Sequence, residues 1–353
     1  MIDDIDAIIT TAIRARIFPG AVIVVTQNNR LLHAAAYGTT MYDDPGTSTV
    51  TLDTIYDLAS LTKVFTATAA LRLHDAGLLP LDRPVQHWLP NLHAADITIR
   101  HLLSHRSGLA VQLAPLARSG TATIREVVYA TPPTHPPGNV TRYANVNTLL
   151  LGDVIAAVYG GSLVDALSEL VCQPLGIRTT RFCPPVEWRA RIAPTEWDEE
   201  WRGGLVHGIV HDESAYALGG VAGHAGLFGS ASDVLRLVQL FLQEGWWDGQ
   251  QLLKPATVRI ALQPRPEPDT HPAHPASGLG WMLNRPYMGA AKAEGFGHSG
   301  FTGPIIIGVP SQGLAIVLLC NRTYPKRTPP PYRHHEVSAA VVDSVLQSIG
   351  NEV

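Results

Sequence analysis

Strand-forming segments lie near both ends of the chain, and a long region of helical patterns separates them. Two apolar runs, 20–26 and 31–37, flank a turn-like stretch, and two more, 305–309 and 314–319, follow near the C-terminus. Short apolar runs separated by turn residues are typical of β-strands. The order of strands, helix, helical insert, strands and helix predicts an α/β (α+β) fold. We expect an antiparallel sheet flanked by helices, with an inserted all-helical lobe.

At 353 residues the chain is longer than a typical single domain, so we predict two structural lobes. The first is a discontinuous α/β sandwich domain at 1–80 and 225–353, and the second is a mainly helical lobe at 81–224. We expect the active site between them. The Pro-rich stretch 263–275 predicts an exposed loop. The predicted helices are 4–16, a helix from position 59 that ends near Gly77, 100–104, 123–129, 147–159, 163–171, 232–244 and 335–349.

Composition narrows the function classes. Hydrophobic residues make up 46% of the chain and charged residues 16%, which suits a compact globular enzyme with a large core. A net charge of -4 without a basic block argues against a nucleic-acid partner. Since apolar runs are too short to cross a bilayer, we expect no membrane partner either. The acidic N-terminus lacks a signal-peptide profile, which predicts a cytoplasmic protein; the oligomeric state is left open.

The three cysteines are irregularly spaced, which favours buried inert thiols over a disulfide framework. They are Cys172, Cys183 and Cys320.

A serine and a lysine at positions 60 and 63 carry the strongest chemical signal. If 59–77 is helical, the two side chains lie on one face, one turn apart. Lysines are scarce here: Lys63, Lys254, Lys292 and Lys326 are the whole set. Because Lys63 falls in an apolar run, we expect it to be buried. Ser60 at the first turn would have a base beside it and backbone N–H groups for a developing oxyanion.

Two further segments offer supporting groups. Tyr143 and Asn145 precede a predicted helix and can point into one cleft, the phenol as acid or base and the amide as a hydrogen-bond donor. The Gly-rich segment 297–303 precedes an apolar strand, where glycines allow close approach of a substrate. Taken alone, each segment has an ordinary structural explanation.

In this order, the three segments resemble the active-site motifs of the serine β-lactamase and penicillin-binding-protein superfamily. The Ser-x-x-Lys motif spans 60–63. Tyr143-Ala144-Asn145 stands in place of Ser-Asp-Asn, as in the class C β-lactamase-like branch. His298-Ser299-Gly300 stands in place of Lys-Thr-Gly, as in many esterases and peptidases of that branch. The segments 97–109 and 226–233 extend the resemblance over nearly the whole chain.

The resemblance implies a role for each site residue. Ser60 would be the acylated nucleophile, Lys63 the base or proton relay, and Tyr143 its partner. Asn145 would position Lys63 and the substrate amide. The remaining wall of the cleft would be His298 with Ser299, Gly300 and Phe301, and the backbone N–H groups of residues 60 and 301 would form the oxyanion hole. No cofactor is implied.

The histidine at position 298 bears on the substrate. In the lactam-cleaving relatives a lysine there helps to hold the substrate carboxylate, and a neutral histidine weakens that grip. We therefore expect hydrolysis of a small-molecule ester or amide, as in a carboxylesterase. The alternatives are a D,D-peptidase or muropeptide amidase, a β-lactamase, an acyltransferase, and a non-hydrolytic module that captures acyl groups.

The histidines between the motifs raise a metal hypothesis that we do not favour. His207 and His211 would share a face of a helix, but the glycines at 203, 204 and 208 argue against one, and a serine mechanism needs no metal. His211, Asp212 and His224 either shape the substrate pocket or make capping and loop-bracing hydrogen bonds. Four others are interpreted as structural or solvent-facing: His101, His105, His271 and His274.

Overall fold

The structure is a computed structural model, and it describes residues 2–42, 44–264 and 277–350. Most of the predicted Pro-rich loop, with His271 and His274, lies outside the described residues. The strands are β1 (Gly20–Gln27), β2 (Arg30–Gly38), β3 (Tyr56–Asp57), β4 (Arg181–Phe182), β5 (Glu196–Asp198), β6 (Gly204–Val206), β7 (Leu227–Gly229), β8 (Trp246–Trp247), β9 (Gln250–Gln251), β10 (Met282–Leu283), β11 (Phe296–Ser299), β12 (Ile305–Val309) and β13 (Leu314–Cys320). The α-helices are α1 (Ile2–Arg14), α2 (Thr62–Asp75), α3 (Ile99–Leu103), α4 (Thr121–Ala130), α5 (Asn145–Tyr159), α6 (Leu163–Leu167), α7 (Glu213–Ala217), α8 (Ala231–Leu242), α9 (Pro255–Leu262) and α10 (Arg333–Gly350).

The predicted antiparallel sheet is confirmed. Its strand order is β10-β11-β12-β13-β1-β2, so the N-terminal hairpin adds to the C-terminal strands through the antiparallel pair β1–β13. The turn between β1 and β2 has Asn28 at φ +47° and Asn29 at φ +63°. Two successive left-handed residues of this type give the turn that matches the twist of a β-hairpin.

The side chains of the central strands alternate between two apolar cores, which explains why helices cover both faces of the sheet. In β1, Ile23 and Val25 contribute to one apolar core and Val22 and Val24 to the other. Since successive side chains in a strand point to opposite faces, this sheet needs a cover on each side. Helices α1 and α10 cover the first face, and α8 packs against β12, β13 and β1 on the second.

The predicted helices are confirmed, most of them to within about two residues. Two differ more: a 3-10 turn at Ala59–Leu61 precedes α2, and α6 ends at Leu167, where the π-helical turn Ser168–Cys172 takes over.

One predicted strand is wrong. The β-prone stretch 51–58 forms only the two-residue strand β3. The N–H of Thr54 donates to the carbonyl of Thr51 in a turn, so the chain before β3 cannot stay extended. Its partner β7 is only three residues long and limits the pairing further.

The region between the sheet-forming segments contains helices α3 to α7, and it also contains β4, β5 and β6. It is therefore not an all-helical lobe. Its apolar residues join those of α2 and α8 in one core, and the lobe bounds given above stay a prediction. Cys172 and Cys320 are buried, whereas Cys183 is exposed, which corrects the prediction for that thiol.

Among the described residues, no single helix is long and apolar enough to span a membrane. One pair passes the length and composition test together, α5 with the segment Leu163–Cys172, and it is bent by 86°.

Candidate active site

A short, strained turn presents Ser60. Strand β3 ends at Asp57, a 3-10 turn covers Ala59–Leu61, and α2 begins at Thr62. Ala59 has φ +46°, a left-handed conformation that costs a residue with a Cβ about 1–2 kcal/mol. The left-handed backbone at Ala59 turns the chain, so that Ser60 lies at the N-terminal end of α2, one turn before Lys63.

The amine of Lys63 is buried and points at Ser60. Its Nζ donates to Ser60 Oγ at 2.8 Å and to the carbonyl oxygen of His224 at 2.9 Å. The side chain is only 1% exposed, and neither acceptor is a carboxylate. The arrangement supplies a hydroxyl with an amine placed to take its proton, as nucleophilic catalysis requires.

Tyr143 forms the wall of the cleft over Lys63. It lies in the extended segment before α5, and its ring centroid is 5.1 Å from Lys63 Nζ. The rings of His105 and His298 flank it, with centroids 4.7 Å and 6.0 Å away. Tyr143 is 41% exposed, so its phenol is open to a ligand in the cleft.

Asn145 lies at the start of α5. It was expected to position Lys63, but it forms no hydrogen bond with that residue. Its amide nitrogen lies 3.4 Å from a carboxylate oxygen of Asp212. Asp212 caps α7 by accepting from the N–H of Ala215 at 2.8 Å, and it also contacts the ring of His224 at 3.2 Å. Asp212 therefore makes capping and bracing hydrogen bonds, and it links Asn145 to the segment that carries His224.

The end of β11 closes the opposite wall. The main chain at Gly300 is so close to the turn before Ser60 that a Cβ there would lie 2.8 Å from the carbonyl oxygen of Leu58. The Gly300 N–H donates to Pro304 at 2.7 Å, and Thr302 Oγ1 donates to the carbonyl of Asp57 at 2.8 Å. Strand β11 and the nucleophile's turn are thus fixed to each other.

Two buried histidines at the cleft stay neutral at neutral pH. Burial, reinforced by the charge of Lys63, lowers the pKa of His105 to about 3 and holds the pKa of His298 well below its usual value. His298 Nδ1 lies 3.0 Å from the carbonyl of Ser299. A neutral ring at position 298 gives a substrate carboxylate no ion pair there. His105 is structural, as predicted, and its Nδ1 lies 3.3 Å from the Asn147 amide nitrogen.

The segment 207–211 is not helical, so His207 and His211 do not form the metal-binding pair considered above. His211 Nε2 is 2.9 Å from Glu196 Oε2, and Arg327 pairs with the same carboxylate. Burial alone would raise the pKa of Glu196, but hydrogen bonds from His211 and Arg327 outweigh it and hold that pKa well below its usual range. No cluster of His, Cys, Asp and Glu suited to a metal ion occurs in the described ranges.

Sequence reasoning missed Arg322. Its side chain is 6% exposed and lies between the rings of Phe301 and Tyr332, 4.6 Å and 4.1 Å from their centroids. Its three guanidinium nitrogens have no hydrogen-bond partner among the described residues. Burial lowers the pKa of this arginine. The sequence did contain a signal for Arg322, because a cation two residues after a fully apolar strand such as β13 is placed where the sheet is buried.

An antiparallel sheet covered by helices on both faces, with a serine–lysine pair one helical turn apart beside the end of β11, defines a serine hydrolase of the β-lactamase and penicillin-binding-protein type. Residues 5–340 match the family model described as Beta-lactamase. The chain belongs to the β-lactamase family.

Relatives with assigned names span several activities. The chain is 29% identical over 384 residues to a protein named putative D-alanyl-D-alanine carboxypeptidase from Escherichia coli O157:H7, covering 94% of this chain and 87% of that one. Its fold is similar to that of EstCE1, a hydrolase with promiscuous acyltransferase activity, with a TM-score of 0.78 and 23% identity over 96% and 98% of the two chains. It is also similar to a class C β-lactamase from Rhodobacter sphaeroides, with a TM-score of 0.73 and 22% identity over 98% and 99%.

Proposed function

We propose that this protein hydrolyses small esters or amides, in the manner of a carboxylesterase, through an acyl-enzyme on Ser60. The observation that carries the proposal is the 2.8 Å hydrogen bond from the buried Nζ of Lys63 to Ser60 Oγ. A serine hydroxyl is a poor nucleophile until a neighbour takes its proton, and among the described residues that hydroxyl is the one side chain to which this amine hydrogen-bonds.

In the proposed acylation step, Ser60 Oγ attacks the substrate carbonyl while Lys63 Nζ, as base or proton relay, takes its proton. The backbone N–H groups of Ser60 and Phe301 stabilise the oxyanion of the tetrahedral intermediate. The C–O or C–N bond to the leaving group then breaks, and the leaving group takes the proton back from Lys63, directly or through the phenol of Tyr143. Water reverses the sequence and releases the acid.

The neutral imidazole at position 298 supports an uncharged substrate. His298 stands where lactam-cleaving relatives use a cation, and its pKa is held well below the usual value by burial. A neutral ester or amide needs no ion pair at that position, whereas a substrate carboxylate would lose one.

A matched pair of proteins tests the proposal. The wild type and Ser60→Ala are assayed with p-nitrophenyl acetate and butyrate, and the rate of the variant should fall by about a thousandfold or more. A fluorophosphonate probe followed by peptide mapping should label Ser60 in the wild type only. Undiminished turnover by Ser60→Ala, or labelling at another serine, contradicts the proposal.

The fate of the acyl group separates the remaining activities. Intact-mass measurement after mixing with an ester should show an adduct that decays during turnover, whereas a permanent adduct indicates an acyl-capturing module. Adding an alcohol and analysing the products tests acyl transfer, because a transferase gives the new ester in place of the free acid.

Arg322 favours a second candidate, a D,D-peptidase or muropeptide amidase. Its guanidinium lies against the ring of Phe301, the residue whose backbone N–H is assigned to the oxyanion hole, and it has no hydrogen-bond partner in the part of the chain that the structure describes. A buried guanidinium without an acceptor is well suited to bind a carboxylate in two parallel bonds. The name of the Escherichia coli relative points to substrates with a free carboxylate.

Arg322→Met tests this candidate, since methionine keeps an unbranched chain without the charge. If the arginine binds substrate carboxylate, the variant should lose about tenfold or more in kcat/KM on a peptide ending in D-Ala-D-Ala, while p-nitrophenyl ester hydrolysis is retained as the folding control. Equal effects on both substrates, or no turnover of the peptide by the wild type, rule against the second candidate.

A further inference from the structure

We propose that Asp57 is a positioning residue for catalysis, which holds the nucleophile's turn in its left-handed conformation and ties it to the segment behind Lys63. The inference rests on the proposed acylation of Ser60. Asp57 itself touches neither Ser60 nor the position of the substrate carbonyl, so it acts through the backbone.

The two carboxylate oxygens of Asp57 have different partners. Oδ1 accepts from the N–H of Ala59 at 2.8 Å, and Oδ2 accepts from the N–H of His211 at 2.7 Å. The side chain is 2% exposed and forms no salt bridge with a described residue. Burial raises the pKa of Asp57, and these two hydrogen bonds oppose the rise because they favour the charged form.

The bond to Ala59 is made where the backbone is strained. Ala59 has φ +46°, and a residue with a Cβ reaches that region only when its surroundings hold it there. The acceptor two residues earlier fixes the direction of the Ala59 N–H, and therefore the peptide plane that leads into Ser60. Without it, the turn can relax toward an unstrained conformation, and Ser60 Oγ would leave its position 2.8 Å from Lys63 Nζ.

The bond to His211 reaches the opposite side of Lys63. The residue after His211 is Asp212, whose carboxylate contacts the ring of His224 at 3.2 Å. The carbonyl oxygen of His224 is in turn the second acceptor of Lys63 Nζ at 2.9 Å. One buried carboxylate therefore links the turn that carries the nucleophile to the segment that holds the base, 154 residues away in sequence.

Asp57→Asn is the informative change because it keeps the shape and removes one acceptor. An asparagine has one carbonyl oxygen and one NH2 group, so only one of the two backbone N–H groups keeps an acceptor and the other meets a donor. The matched control is Asp233, a buried carboxylate that also has backbone N–H partners on both oxygens, with Oδ1 accepting from the N–H of Arg178 at 3.3 Å. It is 5% exposed and accepts from the N–H groups of Thr179 and Thr180 at 2.6 Å and 2.9 Å, at the start of α8.

The experiment measures kcat, KM, thermal midpoint and the rate of fluorophosphonate labelling for Asp57→Asn and Asp233→Asn. Asp57→Asn should lower kcat and the labelling rate by about tenfold to a hundredfold with KM changed by less than about threefold. Asp233→Asn should lower the thermal midpoint to a similar extent while its kcat stays within about twofold of wild type.

The effect of Asp57→Asn in an Ala59→Gly background distinguishes the positioning role of Asp57 from a purely structural one. Glycine adopts φ +46° without strain, so the turn depends less on Asp57 in that background. The factor lost on Asp57→Asn should therefore shrink from about tenfold or more to about threefold or less when Ala59→Gly is present. An equal loss in both backgrounds, or an equal loss of kcat in Asp57→Asn and Asp233→Asn, overturns the inference.

Failure of the proposed function is distinguishable from failure of this inference. If Ser60 is labelled but esters are not hydrolysed, the ester proposal fails, and the labelling rates still measure the effect of Asp57. If esters are hydrolysed with kcat unchanged in Asp57→Asn, only the positioning role fails.

Discussion

Gly300 lies against the carbonyl oxygen of Leu58, so closely that an added Cβ would come within 2.8 Å of that oxygen and 3.3 Å of the Cβ of Ala59. Strand β11 therefore approaches the turn that presents Ser60 through bare backbone, with no side chain between them. Thr302 adds a hydrogen bond from its hydroxyl to the carbonyl of Asp57. The width of the cleft beside the nucleophile is set by this contact.

Gly300→Ala should widen the cleft at the nucleophile. The obstacle is a backbone oxygen, which cannot rotate away as a side chain could, so β11 or the 58–60 turn must shift. A displacement of a few tenths of an ångström to 1 Å at reacting groups can cost about 100-fold in rate. We expect kcat/KM for p-nitrophenyl esters to fall by roughly that factor.

Gly350→Ala is the control for that substitution, because a Cβ at this end of α10 meets nothing within 4 Å. Its activity should equal that of the wild type. A fully active Gly300→Ala protein, or a loss explained by a lower folded fraction in circular dichroism, would show that the contact does not set the geometry of the cleft.

Lys63→Met should remove the proton acceptor with little damage to the core. Lys63 is 1% exposed, and methionine fills a similar volume without a buried amine. We expect ester turnover to fall by about a thousandfold, and the double variant with Ser60→Ala to lose no more than the larger single effect, because the two groups act as a unit. Kinetics of the two single variants and the double variant test this. Losses that multiply would mean that the amine acts independently of the hydroxyl.

Tyr143→Phe removes the phenolic oxygen and keeps the ring that packs between His105 and His298. If the phenol relays a proton to the leaving group, kcat should fall by about 100-fold, and the loss should be larger for alkyl esters than for p-nitrophenyl esters, whose leaving group needs no proton. The control is Tyr129→Phe, a tyrosine in α4 whose hydroxyl lies 3.3 Å from Asp153. Equal losses for both ester classes would mean that Tyr143 acts through packing and not as a proton relay.

Local patterns predicted most of the fold. The apolar runs 305–309 and 314–319 became β12 and β13 because their alternation serves two cores, and helical spacing identified α2 and α8. The pairing of β13 with β1, across almost the whole chain, could be predicted only as a consequence of the element order. The stretch 51–58 shows the limit of local patterns, because β propensity alone does not supply the partner strand with which a strand must pair.

The residues of the site likewise fall into those that local sequence patterns predict and those that they do not. Ser60 and Lys63 could be placed together because an i, i+3 spacing fixes their distance on a helix. The second acceptor of Lys63, the carbonyl of His224, is 161 residues away and gives no sequence signal, because any residue has a carbonyl. Asp57 was missed for a related reason: its partners are backbone N–H groups, one of them 154 residues away. The Asn145 amide lies 3.4 Å from the Asp212 carboxylate, so its expected role toward Lys63 and the substrate amide stays a prediction.

The stability of the protein should fall as the pH drops below about 6.5, and His105 should account for part of the decrease. Burial first, and then the charges of Lys63 and Arg285, lower the pKa of His105 to about 3. Between that value and the ordinary pKa of 6.5, the unfolded chain binds a proton that the folded chain does not. The free energy of unfolding therefore rises with pH through this window, and one such histidine contributes about 2 kcal/mol between pH 5 and pH 7.

His105→Asn isolates this contribution, because the asparagine carbonyl can replace Nδ1 as the acceptor that faces the Asn147 amide and the Ala144 N–H. The variant has no titrating group at position 105, so its difference in unfolding free energy between pH 5 and pH 7 should be about 2 kcal/mol smaller than that of the wild type. Urea denaturation at the two pH values measures both differences. Part of the pH dependence should survive in the variant, because burial also lowers the pKa of His298 and His334. If the two proteins lost the same stability on acidification, His105 would have to bind its proton equally well in the folded and unfolded states, contrary to its burial beside Lys63.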